Sequence, residues 1–323
     1  MRRTSARVKL ISAVAVTTAV AALGGVSAAH SMAAESEDFG VLASGSPTGF
    51  GAGTTGGGNA ETVTVTNAED FEEAATSDGP LNIRVQGMIE LDSMTKVSSD
   101  KSVVGVGSSS GFEGSGLNIS EADNVIIQNL IFRDSNDDGI NVQYSTHVWI
   151  DHNDFTNPND GSLDIKRAST NITVSWNHSY DADKNMLLGH SDDNGSEDIG
   201  KLNVTYHHNW FDGTVQRNPR VRFGDPVHVY NNYYDGVESY GVASTEDAGV
   251  LVEANYFENT EDPYHLGEAD SGPGSIEAVD NYFVNSGEGE DGGSVANIPY
   301  SYSPDPAQNV KSIVTAGAGV GHV

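Results

Sequence analysis

The chain has 323 residues, with 46 acids against 16 bases, a formal charge of −30 and no cysteine. With hydrophobic residues at 37% it is too apolar to stay disordered. Its acidity argues against nucleic-acid binding, which needs clustered Lys and Arg. Zero cysteines exclude disulfides, thiol catalysis and Cys-based zinc sites.

In chain order, Arg2, Arg3, Arg7 and Lys9 precede a small, apolar run from Leu10 to Val26 and then Ser-Ala-Ala-His-Ser-Met-Ala-Ala. This is the layout of a secretory signal peptide over 1–34, cleaved between about 28 and 34. The run is too short and too rich in Ala, Gly and Thr to read as a membrane anchor. Residues 35–323 then form one exported domain that keeps 12 of the 16 bases and all 46 acids. No membrane association is expected after cleavage, and a monomer is expected. The Gly-rich stretch Gly51–Gly58 lacks the Lys-Ser or Lys-Thr of a phosphate loop and reads as tight backbone packing. A short helix is expected around Ala68–Ala75, capped by Thr66 or Asn67, with Glu69 and Asp70 near its positive end.

From residue 125 a unit recurs: two apolar residues spaced by two, then Asn three residues on and an aromatic soon after. It reads Val148-x-Ile150-x-x-Asn153-x-Phe155, Ile172-x-Val174-x-x-Asn177 with Tyr180, and Val204-x-Tyr206-x-x-Asn209-x-Phe211. Three further units are anchored at Asn232, Asn255 and Asn281, and an earlier one has Leu130 in the Asn place. The anchors step by 23, 24, 32, 23, 23 and 26 residues. Period-two strands recurring at this interval predict coils of a solenoid about 4.8 Å apart, with stacked apolar residues inside. The repeated Asn suits a bend bonded to the next coil. The expected fold is all-β, a single-domain right-handed parallel β-helix with a short N-terminal helix. The long step marks an insertion between Tyr180 and Lys201, whose acids Asp192–Asp198 read as a solvated loop.

Seven of the twelve bases outside the leader lie between 166 and 222: Lys166, Arg167, Lys184, Lys201, Arg217, Arg220 and Arg222. In so acidic a chain this points to an anionic ligand. Counted from the anchors, Asp138, Asp160, Lys184 and Arg217 fall at plus seven or plus eight in successive units, predicting a row along one edge. Alternation with Leu163 and Ile165 places Asp164 outward, beside Asp160 and Asp138. Three converging carboxylates suit a hard cation, most naturally calcium.

The segments Val148-Trp-Ile-Asp-His152, Asp160-Gly-Ser-Leu-Asp-Ile165, Asp181-Ala-Asp-Lys184 and Val215-Gln-Arg-Asn-Pro-Arg-Val-Arg-Phe-Gly224 resemble the pectate lyases of polysaccharide lyase family 1. So do Gly49-Phe-Gly-Ala-Gly-Thr-Thr-Gly-Gly57 and Val227-His-Val-Tyr-Asn-Asn-Tyr-Tyr234. The resemblance spans roughly residues 45 to 315. It implies a parallel β-helix and calcium-dependent β-elimination of polygalacturonate to unsaturated oligogalacturonides. It further implies Asp138, Asp160 and Asp164 as Ca²⁺ ligands, Lys184 and Arg222 as substrate-carboxylate binders, and Arg217 as general base. Asn136 stands where some members carry another acid. An unperturbed guanidinium stays protonated, so a basic Arg217 requires like charges around it and predicts an alkaline optimum. A pectin lyase, a β-helix polygalacturonase and a noncatalytic carbohydrate-binding solenoid are the rival readings.

Overall fold

The computed structural model describes residues 43–323; the leader expected over 1–34 lies outside the described residues. Among the described residues twenty-seven short strands assemble into three sheets of ten, nine and eight strands, and every named strand pair is parallel. Within each sheet the strands follow chain order, so each coil adds one strand to each sheet and the next coil stacks on it. The fold is a right-handed parallel β-helix, as the repeat predicts.

The repeat positions line the interior. Val125, Val148, Ile172, Val204, Val227, Val250 and Ile276 are register partners in one row. Ile127, Ile150, Val174, Tyr206, Val229, Val252 and Ala278 form the next row inward. Nearly all are fully buried, so each β-branched side chain rests on its counterpart one coil away. A third row holds Phe112, Phe132, Phe155, Ser179, Phe211, Tyr234 and Phe257. Its rings stack at centroid distances of 4.3–5.8 Å on either side of Ser179. The unit anchored at Asn177 therefore turns Ser179 inward and Tyr180 outward, where sequence reading counted Tyr180 as the unit's aromatic.

The anchor asparagines form the expected ladder. Asn153, Asn177, Asn209, Asn232 and Asn255 each donate a side-chain N–H to the next anchor's Oδ1 at 2.9–3.1 Å. The residues before them, among them His152, Trp176 and His208, have positive φ, which is the local twist that makes the bend.

Asn67 caps the helix Ala68–Thr76 by accepting from Asp70 N–H at 3.0 Å, and Phe71 and Ala75 close one end of the core. The 3₁₀ turn Gly49–Gly51 packs onto the outer face of the ten-stranded sheet. A Cβ on Gly51 would lie 2.8 Å from the Thr173 backbone nitrogen, so the glycines there do serve close packing. A C-terminal helix, Ala307–Gly317, lays Val310 and Val314 against Tyr233. Among the described residues no helix is long and apolar enough to cross a membrane.

Candidate active site

The eight-stranded sheet carries the unusual side chains on its outer face. Register aligns Asn118, Asn141, Asp164, Leu187, Arg220 and Ala243 in one row, because alternation turns every second residue of Leu117–Ser120, Ile140–Gln143, Leu163–Lys166, Met186–Leu188, Arg220–Arg222 and Val242–Thr245 outward. The adjacent outward row runs through Ser120, Gln143 and Lys166, and on to Arg222 and Thr245. Neutral amides on early coils give way to carboxylates and then to guanidinium groups.

The turns entering these strands supply the rest. Asp160 N–H donates to the Asp137 carbonyl, and Lys184 bridges to Gln216. Arg217 thus lies one residue beyond strict register with Lys184, the same offset that plus seven against plus eight gives on counting from the anchors. One carboxylate oxygen from each of Asp137, Asp138 and Asp160 lies within 4.8 Å of the others. Asp137 is not among the Ca²⁺ ligands that the sequence resemblance implies; it lies in a turn, where strand alternation does not set the direction of a side chain.

Asp164 joins this group through a lysine. Lys166 Nζ lies 3.0 Å from Asp138 Oδ2 and 2.9 Å from Asp164 Oδ2, tying the two carboxylates together. Asp138 Oδ1 accepts from Gly161 N–H at 2.9 Å. Burial, reinforced by Asp138, pushes the Asp164 carboxyl up to about 7 against the pull of Lys166 and Arg217. Asp138 is also raised by burial, opposed by Lys166. Burial works against the Lys166 charge, but the two aspartates outweigh it and raise its pKa. Two buried acids thus share one ammonium, and Asp164 Oδ1 is buried with no hydrogen-bond partner. That orphaned oxygen lies beside Asp138, which also belongs to the Asp137–Asp138–Asp160 cluster, and carboxylate oxygens of this kind are the donors a hard divalent cation takes up. Gly161 leaves room for it: a Cβ there would lie 2.4 Å from Asp164 Oδ1 and 3.0 Å from Asp138 Oδ1.

Lys184 reaches back across the coil to Asp160 Oδ1 at 2.9 Å and remains partly exposed. Arg217 has φ of 62°, a left-handed conformation uncommon outside glycine, and its Nε is buried without a partner. The polar break in the aromatic stack lies beneath this turn. Ser179 Oγ donates to Asn185 Oδ1, Asn185 Nδ2 to Asn218 Oδ1, and Asn218 Nδ2 to the Tyr240 carbonyl, at 2.7–2.9 Å. This chain pins the residues that follow Lys184 and Arg217. Asn136 engages Ser115 Oγ at 3.1 Å.

The insertion is not the solvated acidic loop expected from sequence. Asp198 is buried and accepts from Ala168 N–H at 2.7 Å, while Glu197 pairs with Arg167 at 3.4 Å. Asp192 holds Arg222 Nε at 2.6 Å. Arginines take up Glu197 and Asp192 and a backbone N–H takes up Asp198, and strand periodicity cannot show such contacts.

A family model described as pectate lyase matches residues 10–323. A pectate trisaccharide-lyase of Bacillus licheniformis is 38% identical over 323 residues, covering 92% of this chain and 93% of the relative. A pectate trisaccharide-lyase of Thermotoga maritima is 37% identical over 320 residues, covering 83% and 84% respectively. The crystal structure of a pectate lyase from Bacillus sp. N165 in complex with trigalacturonate matches with a TM-score of 0.78 at 31% identity, over 85% of this chain and 99% of that one. The continuous β-helix and the match along almost its whole length lead to one conclusion: the chain belongs to the pectate lyase family, whose members are polysaccharide lyases.

Proposed function

We propose that the protein is a secreted, calcium-dependent pectate lyase that cleaves α-1,4-linked polygalacturonate by β-elimination, releasing unsaturated oligogalacturonides. The observation that carries this reading is the juxtaposition, on one outer face, of an acidic cluster with an orphaned Asp164 oxygen and a row of Lys184, Arg217, Arg220 and Arg222. Hydrolysis by paired acids leaves that cationic row without a task.

Asp138, Asp160 and Asp164 would hold the calcium ion, with Asp137 adjoining them. Bound there, the ion supplies Lewis-acid polarisation of a substrate carboxylate, which makes the neighbouring C5 proton more acidic. Lys184 spends one N–H on Asp160 and has others to donate to a uronate carboxylate. Arg222 supplies fixed positive charge as negative charge gathers on that carboxylate. Arg217, in its neutral form, takes the C5 proton, and the electron pair left at C5 forms the C4–C5 double bond as the C4–O bond breaks. The same bases draw a polyanion to a face of an otherwise strongly acidic protein.

The deciding experiment follows ultraviolet absorbance of the unsaturated product on polygalacturonate, with and without chelator, and on methyl-esterified pectin. Calcium-dependent absorbance on the unesterified polymer is the expected result. Reducing ends without absorbance would mean hydrolysis, activity on the ester that survives chelation would mean a pectin lyase, and binding without product would mean a noncatalytic solenoid.

A further inference from the structure

Arg222, read above as a substrate-carboxylate binder, is itself held by a carboxylate. Arg222 donates from Nε to Asp192 Oδ1 at 2.6 Å and from Nη1 to the Gly189 carbonyl at 3.2 Å. Asp192 is fixed in turn: Ser271 Oγ lies 2.8 and 2.9 Å from its two oxygens. Arg220 Nη2 donates to the same Ser271 hydroxyl at 2.7 Å and to the Glu268 carbonyl at 3.2 Å. Ser271 has a single hydrogen, so its contact with Asp192 is one shared donation, and it accepts from Arg220.

Arg220–Ser271–Asp192–Arg222 is therefore a closed chain joining three separate stretches of the solenoid. Asp192 comes from the insertion, which is anchored at its other end by Asp198 on Ala168 N–H. Within this chain one aspartate lies between two buried guanidinium groups that would otherwise repel each other. Among the described residues Arg222 Nη2 has no protein acceptor.

We infer that Asp192 is a positioning residue for substrate binding, holding Arg222 at Nε while the Gly189 carbonyl holds Nη1, so that Nη2 is left for a uronate carboxylate. The inference rests on reading Arg222 as a carboxylate binder and gives the insertion its task. A planar guanidinium gripped on one edge keeps one orientation, and less freedom is lost when the ligand arrives. Ser271 sets Asp192, and Arg220 sets Ser271.

The test measures trigalacturonate affinity by calorimetry at fixed calcium in an Arg217→Ala background, where no turnover occurs. Asp192→Asn is expected to weaken binding on the order of tenfold, the scale of one misdirected charge-assisted hydrogen bond. Ser271→Ala should weaken it less, and Asp192→Glu should restore part of the loss. In the otherwise unaltered enzyme Asp192→Asn should raise KM and also lower kcat, since Arg222 both binds the carboxylate and meets the charge that gathers on it, and Asp192→Glu should recover part of both. Thermal melts of each variant separate this from damage to the fold, and Ser271→Ala keeps the test open if Asp192→Asn does not fold. Unchanged or tighter binding in Asp192→Asn, alongside weakened binding in Arg222→Ala, would overturn the positioning role alone. Unchanged binding in Arg222→Ala would overturn the carboxylate-binder reading and this inference with it.

Discussion

Asp164 shows how a single residue can be informative in an acid-rich chain. Its carboxyl is buried, raised to about 7 and left with one oxygen unpartnered, although Lys166 is within reach. Gly161 is the residue that permits this crowding. Gly161→Ala should push the two carboxylates apart and weaken calcium binding on the order of tenfold, the scale of perturbing a ligand's support. A calorimetric calcium titration checks it; unchanged affinity would separate these aspartates from the metal. Replacing Arg217 by Ala should abolish unsaturated product while leaving the circular dichroism spectrum and calcium affinity intact. Retained turnover would exclude it as the base.

At the scale of elements, the asparagine ladder bears the bend between the ten-stranded and nine-stranded sheets. Asn209 donates to the Val174 carbonyl and to Asn232 Oδ1, and it accepts from Asn177 N–H and Nδ2–H. Asn209→Ala would orphan buried partners on both neighbouring coils, at an expected cost of about 3 kcal/mol. Asn281 ends the ladder in a partly exposed place, so Asn281→Ala should cost about 1 kcal/mol. Urea denaturation midpoints read both, and equal costs would argue against a cooperative ladder. The ladder was legible because all six anchors keep phase with the apolar positions. The break at Ser179 was not: Ser179 and Tyr180 are adjacent, and only the register with Phe155 and Phe211 decides which one points inward.

Across the whole molecule, acidity and burial act together on stability. His228 is buried and its pKa falls to about 3, while burial drives His207 well down. A histidine held neutral in the fold lowers stability as pH falls below its unfolded value of 6.5, because the unfolded chain then binds the proton and the fold does not. For His228 that loss extends from about 6.5 to about 3, at roughly 1.4 kcal/mol per pH unit for one proton. Aspartates raised in the fold by desolvation, such as half-buried Asp154 and buried Asp198, act with the opposite sign. The difference between His228→Gln and the parent isolates the histidine: the melting temperature of the variant should fall less steeply between pH 7 and 5. Parallel slopes would show that His228 is protonated in the fold. His207 and His208 have Nδ1 atoms 2.9 Å apart although they are neighbours in sequence, because His208 turns through positive φ.

The chain alone determined the coil, its core rows, the asparagine bend and the concentration of bases among acids. Each repeats at a fixed period or stands out in composition, and a solenoid converts period directly into neighbours in space. The helix Ala68–Thr76 was equally plain, since its cap and first-turn acids are local. Only the tertiary structure decided that Asp137 joins Asp138 and Asp160, that Lys166 clasps two aspartates, and that Asp192 meets Arg222 and Ser271. Asp192 and Ser271 are 79 residues apart, and both lie in turns outside the repeat. Where a turn departs from the period, counting no longer gives the direction of a side chain, and the packing of the coils supplies it.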